Sequence, residues 1–259
     1  MSIITVEILK PLIVDAGGFA AASVFIAFLL RKPKKRKSKN SRLSKTTTTL
    51  TSKPTFKSAK ESTPEFKPTP TQVKKPEHNE WSIDLLMSLE WKRYEEICKE
   101  ILAIKGNGRF NISTTKIGAD GGIDLKITDE KGNVTALGQC KAYNSQIGVA
   151  FIREFYGVIA SEKVEHGYFF TTSKFSNDAI EFANKNKITL INGQNLLKTI
   201  QSFKPEQQKH LFTIATDGDY TTPTCANCDV KMVKKSSERG EFWGCVNYPR
   251  CKNTLNIRK

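Results

Sequence analysis

The sequence predicts an α/β protein, a mixed sheet flanked by helices, with an apolar segment near its N-terminus and a small cysteine-rich piece at its end. Three observations predict it. Between residues 80 and 204 a hairpin pattern is followed by alternating helices and short apolar strands; residues 12–30 form a mainly apolar run; and Cys225, Cys228, Cys245 and Cys251 cluster near the end. With 259 residues, 38% hydrophobic and 26% charged, the chain has room for one medium domain and smaller pieces, not one compact body.

The run LIVDAGGFAAASVFIAFLL at 12–30 is about as long as a hydrocarbon core of roughly 30 Å requires, although Asp15 and two glycines interrupt it. The nearly neutral start MSIITVEILK and the basic block RKPKKRK after the run argue against a cleaved leader. That block acts as a stop signal and places the downstream chain on the cytoplasmic side. Residues 1–31 are therefore expected to be a single-pass anchor in a bacterial-type inner membrane. Residues 32–79, with six prolines and almost no large apolar side chains, are expected to be a disordered basic linker. As a flexible coil it would reach about 40 Å. Residues 31–80 hold fifteen Lys or Arg against four Glu, a net of +11 out of +15 for the chain. Such a balance attracts nucleic acid or anionic lipid, and composition does not choose between them.

Order is expected from Trp81. SIDLLMSLEWKRYEEICKEILAIKG reads as a helix, with Tyr94, Ile97, Cys98, Ile101 and Leu102 on one stripe and Gly106 at its end. RFNISTTKIG and the hairpin after it supply two or three strands. VAFIREFYGVIASEK reads as a helix, GYFFTTS as a buried strand, SNDAIEFANKNK as a helix capped by Ser176, ITLING as a strand and QNLLKTI as a helix. The main domain is expected at 80–204, a second linker at 205–222 and a cysteine domain at 223–259.

The stretch GADGGIDLKITDEKGNVTALGQCK, residues 118–141, carries the candidate chemistry. DEKGN is a turn signal between two strand patterns. Counting outward from Lys131 and Gly132 pairs Asp129 with Val134 and Asp124 with Gln139. Paired residues share a face, so Lys141 projects beside them while Cys140 points away. A carboxylate, an amide and an ammonium converge. Asp120, Gly121 and Gly122 read as a tight turn. Thr171, Thr172 and Ser173 read either as strand-end hydrogen bonders or as phosphate ligands. His78, His166 and His210 are scattered and form no recognisable site.

In this order the residues resemble the Mrr-like branch of the PD-(D/E)xK nucleases, the type IV restriction endonuclease class. The resemblance spans about residues 84–200 and rests on Tyr94-Glu95, GADGGID, QCK at 139–141 and TTSKFS at 171–176. It implies a restriction-endonuclease-like sheet, bound Mg²⁺ and hydrolysis of phosphodiester bonds. Carried onto this chain, Asp124 and Gln139 are the expected magnesium ligands, Lys141 the group that orients water and stabilises charge, and Glu95 a carboxylate facing the sheet. Gln139 stands where many relatives have Glu or Asp, so magnesium affinity without DNA is expected to be weak.

Cys98 and Cys140 read as inert core residues. Cys225, Cys228, Cys245 and Cys251, spaced as two knuckles in a segment too poor in apolar residues for its own core, read as a structural Zn²⁺ site. A pair of disulfides would require an oxidising compartment. CANCDVKMVKKSSERGEFWGCVNYPRCKNTL resembles the C4 zinc ribbons of type IA DNA topoisomerases, departing at Ala226, where Pro is usual. The resemblance implies DNA binding, often to single strands. Phe242, Trp243 and Tyr248 are the candidate stacking faces and Lys234, Lys235, Arg239, Arg250 and Lys252 the candidate phosphate contacts. The expectation is a membrane-anchored, magnesium-dependent DNA endonuclease, acting in restriction of foreign or modified DNA or in DNA processing, with no small-molecule cofactor. Cutting two strands with one site per chain expects a homodimer. The alternative is a non-catalytic, membrane-tethered DNA-binding protein.

Overall fold

A computed structural model describes residues 78–115 and 122–258, which fall in one compact unit. The expected anchor, nearly all of the expected basic linker, and Asp120 with the first residues of GADGGID lie outside the described residues. Among the described residues no helix is long and apolar enough to cross a membrane.

The helix expected from Ser82 to Gly106 is two, α1 (Ile83–Ser88) and α2 (Trp91–Gly106). Ser82 caps the first, its Oγ accepting from Leu85 N at 3.1 Å. Leu85, Leu86 and Leu89 are all buried, a spacing no single stripe continuous with Tyr94 can satisfy, and the chain extends at Leu89 and Glu90 before α2 begins. Along α2 the expected stripe is buried from Tyr94 to Leu102. The helix ends on left-handed Asn107 (φ 48°), whose N–H bonds Ala103 O, one residue past the expected glycine.

Five strands, β1 (Asn111–Thr114), β2 (Leu125–Thr128), β3 (Val134–Lys141), β4 (His166–Thr171) and β5 (Ile188–Ile191), form one sheet in chain order. The first three are antiparallel and β3, β4 and β5 run parallel, so the sheet is mixed as expected. The parallel steps need crossovers, and α3 (Val149–Ser161) and α4 (Asn177–Lys185) supply them. Alternation along β4 divides the core. Tyr168 and Phe170 enter the layer with α1, α2 and two later helices, while Phe169 enters the layer with α3 and α4. Phe155, Phe169 and Phe170 are fully buried, each contributing roughly 1.5–3 kcal/mol by apolar burial. Gly167 lets α3 lie close on β4: a Cβ there would stand 2.3 Å from Ile159 Cδ1.

The later helices are α5 (Gly193–Gln201) and α6 (Pro205–Thr216). The second belongs to the stretch expected as a linker. Pro205 opens it, and Leu211 and Ala215, four residues apart, are buried in the α2 layer. Beyond it β6 (Val233–Ser237), β7 (Gly240–Gly244) and β8 (Thr254–Asn256) make a separate antiparallel sheet, whose buried cluster consists of Cys225, Cys245, Cys251 and Met232.

Candidate active site and zinc ribbon

The β2–β3 register pairs Leu125 with Gly138, which sets Asp124 against Gln139 as counting requires. At the turn the ladder slips by one: Val134 pairs with Thr128, not with Asp129. The slip has a local cause, since Asp129 folds its carboxylate onto Lys131 N, Asn133 N and Asn133 Nδ2 and tightens the turn. The bulge between Ile127 and Thr128 restores the outer register.

At Asp124 the side chain enters the ladder. Its backbone N donates to Gly138 O at 2.9 Å, and its Oδ2 accepts from Cys140 N at 2.7 Å, the position a backbone carbonyl would otherwise fill. Gln139 is buried beneath Gly122, which lies at φ 88°, and a Cβ on Gly122 would stand 2.6 Å from Gln139 Nε2. The turn's last glycine is thus required both by its backbone angle and by the amide under it.

Lys141 ends β3 half-buried, and Glu95 enters from α2. Burial pushes the Asp124 carboxyl up to about 6, against the Cys140 N–H and the Lys141 ammonium, which hold it down. Burial pushes Glu95 up to about 8, with the Asp124 charge adding to the shift and Lys141 opposing it. Asp124 is thus the more acidic of the two, and burial first, then the Asp124 charge, favours the protonated form of Glu95. Glu95, Asp124 and Lys141 thus act on one another through their charges, and Gln139 stands opposite Asp124 in the ladder.

Two half-buried carboxyls that resist ionising are what a hard cation relieves, and Mg²⁺ takes oxygen ligands of this kind. Asp124, Glu95 and the Gln139 amide fit it. Among the described residues no third acid joins them, since the one group of three or more candidate His, Cys, Asp or Glu ligands is the four cysteines. The hydroxyls at the end of β4 serve the backbone instead. Thr171 Oγ1 donates to Lys141 O at 2.9 Å, Thr172 Oγ1 to Tyr143 O at 2.7 Å and Ser173 Oγ to Asn144 O at 3.3 Å, fastening the loop that follows Lys141. Of the two readings open for these three residues, the strand-end one describes their contacts.

In the ribbon the four cysteine sulfurs lie within 4.8 Å of one another. Asn247 N donates to Cys245 Sγ and Asn253 Nδ2 to Cys225 Sγ, the partners thiolates attract. Four converging thiols on two knuckles fit tetrahedral Zn²⁺. Trp243 packs against the cysteines and so is core. Phe242 and Tyr248 instead line a groove of about 300 Å³ with Lys235, Lys252 and Asn253. Tyr248 is 63% exposed, and Lys235 Nζ lies 5.1 Å from its ring centre. Lys234 is paired with Glu241 at 2.7 Å, Arg239 sits at the β6–β7 turn, and Arg250 is exposed beside the second knuckle.

Glu90 had no sequence signal beyond being an acid between Leu89 and Trp91. It is 3% exposed, and its carboxylate accepts from Thr224 N at 2.7 Å, Thr224 Oγ1 at 2.8 Å and Lys231 Nζ at 2.7 Å.

Comparison with known proteins finds likenesses for both parts of the chain. Residues 86–200 match the family described as restriction endonuclease, the Mrr catalytic domain, and residues 222–259 match the topoisomerase DNA binding C4 zinc finger. The chain is 30% identical over 119 residues to the type IV methyl-directed restriction enzyme EcoKMrr of Escherichia coli (strain K12), covering 44% of this chain and 39% of that protein. It thus spans about two fifths of that relative's length. Among solved structures, the MspJI restriction endonuclease in complex with a 27-mer oligonucleotide is 20% identical with a TM-score of 0.33, covering 54% of this chain and 33% of that one. The DNA modification-dependent restriction endonuclease AspBHI is 19% identical with a TM-score of 0.36, covering 52% and 39%. The chain thus joins a domain that matches the Mrr catalytic family of restriction endonucleases, over residues 86–200, to one that matches the topoisomerase C4 zinc finger, over residues 222–259.

Proposed function

We propose that the protein is a magnesium-dependent DNA endonuclease, anchored in a bacterial-type inner membrane by residues 12–30 with its later domains in the cytoplasm. What supports the catalytic part is the charge coupling of Glu95, Asp124 and Lys141, with Gln139 opposite Asp124 in the ladder and both carboxyls held above their usual range. The apolar run and the basic block after it carry the anchor.

Bound Mg²⁺ supplies charge neutralisation at the phosphate and lowers the pKa of attacking water. The Asp124 carboxylate and the Gln139 amide oxygen would hold the ion, with Asp124 fixed by the Cys140 N–H. Glu95 accepts the hydrogen bond of the attacking water, and Lys141 donates to a non-bridging phosphate oxygen and holds that water in line. The Tyr248 and Phe242 groove, flanked by Lys235 and Lys252, takes unpaired bases and their phosphates. A relative named as methyl-directed supports modified or foreign DNA as the substrate class. With one site per chain, cutting both strands calls for two copies.

The test is cleavage of methylated and unmethylated DNA by the wild-type chain and by Lys141→Ala, with Mg²⁺ present. Cutting by the wild type alone is expected. Tight DNA binding without cutting by either protein points instead to a non-catalytic tether.

A further inference from the structure

The start of α2 is held by the C-terminal part of the chain through four consecutive residues. Glu90 N donates to Tyr220 O at 2.8 Å, and the Glu90 carboxylate takes Thr224 and Lys231. Trp91 Nε1 donates to Thr224 O at 2.9 Å, Lys92 pairs with Asp229, and Arg93 donates to Ile214 O at 2.7 Å and to Asp217 O at 3.1 Å. Thr224 directly precedes Cys225, and Asp229 directly follows the first knuckle. Lys231 donates also to Thr222 O, so the same ammonium ties the approach to the ribbon down on Glu90. Two residues past Arg93 is Glu95, about 7.5 Å along the helix axis from Glu90.

We infer that Glu90 is a positioning residue for the nuclease reaction: clasped by Thr224 and Lys231 of the folded ribbon, it fixes the first turn of α2 and through it Glu95. The inference rests on the nuclease reading of Glu95. A rigid α-helix transmits the placement of its first residues to a side chain one and a half turns on, and catalytic groups lose effect when displaced by about 1 Å. A buried carboxylate stripped of its ammonium and hydroxyl donors is driven toward water, which here means moving the start of α2. The ribbon then does more than bind DNA, because its folded state completes the catalytic constellation.

The test uses the full chain, loaded with zinc, as the wild type, a Thr224→Val/Lys231→Met double variant and a Lys231→Arg variant. Single-turnover cleavage at saturating DNA, DNA affinity, zinc content and amide hydrogen exchange across residues 91–95 are measured for each. The double variant is expected to cut about 10–100-fold more slowly, with affinity within about twofold, zinc retained and exchange in 91–95 accelerated. Lys231→Arg, which keeps a cation facing Glu90, is expected to recover most of the rate. Unchanged exchange in 91–95 overturns the inference, as does an unchanged rate despite faster exchange, or a loss confined to affinity. A wild type that does not cut sinks the nuclease reading instead, and the exchange measurement still decides whether the clasp holds α2.

Discussion

The α/β domain and the ribbon solve the same problem by opposite means. In the first, two layers of apolar side chains on either side of a five-stranded sheet hold polar groups that are costly to keep close. In the second, four cysteines and Met232, with Val230, Trp243 and Leu255 packed against them, make the interior. A site built on a sheet exists before its metal arrives, whereas a site built of thiols exists because of its metal. Cation affinity at Asp124 can therefore be weak without endangering the fold, and zinc affinity at the cysteines cannot.

The largest expected effect bears on the sheet-borne site. Lys141→Ala and Asp124→Asn should each lower single-turnover cleavage by ~10³-fold while circular dichroism and thermal unfolding of the α/β domain stay near wild type. A variant that cuts normally removes that residue from the site.

Next, Cys245→Ser/Cys251→Ser should release zinc and unfold the ribbon, weakening DNA binding by roughly 10-fold or more and flattening its salt dependence. The α/β domain should retain a cooperative melting transition. Its loss along with the zinc would show that the two regions share one core after all.

A smaller effect comes from pH. Glu95 sits at about 8 and Asp124 at about 6 in the folded chain, against 4.5 and 3.8 ordinarily. Raised carboxyls stabilise the fold fully below their ordinary values and lose that contribution as pH rises through their folded values. The metal-free protein should therefore be less stable at pH 8 than at pH 4, with the larger share of the loss coming from Glu95. Because a Mg²⁺ ion held at Asp124 would favour the ionised form of the nearby Glu95, its stabilising shift in melting temperature should be larger at pH 8 than at pH 6. A shift independent of pH would detach the cation from Glu95.

The smallest effect separates the two ribbon aromatics. Tyr248→Ala should cost about 1–3 kcal/mol of single-strand affinity and leave zinc binding intact. Trp243→Ala should instead lower the melting temperature of the ribbon. Equal behaviour of the two would undo the division between groove and interior.

Much of the hairpin that carries the candidate site was legible because it is local. The turn chemistry of DEKGN and the two-residue period of a strand put Asp124, Gln139 and Lys141 together within one hairpin, and the one-residue slip at Val134 is absorbed by a bulge. The stripe from Tyr94 to Leu102 and the cysteine spacing were legible for the same reason. What escaped depends on partners far along the chain. Glu90 meets Thr224 across 134 residues, and nothing in the neighbourhood of either announces the other. The helix at 205–216 escaped for a different reason: its two buried residues are too few to make a pattern against Gln207, Gln208, Lys209 and His210. At Phe242-Trp243-Gly244 alternation says that the two rings part ways but not which one turns inward, and that choice belongs to the cysteines.

The hydrogen bond from Cys140 N to Asp124 Oδ2 bears on how this protein would age if selection for cleavage lapsed. Asp124 is held by architecture as well as by chemistry, because its oxygen answers a main-chain donor in the middle of the sheet. Drift should therefore preserve Asp there, or Asn, which accepts equally well, long after the last phosphodiester bond is cut. Glu95 has no such protection. Its carboxyl strains against burial and against Asp124, and any neutral side chain would relieve the fold. In a lineage of descendants it is position 95, not position 124, that would record whether the proposed cleavage was still under selection.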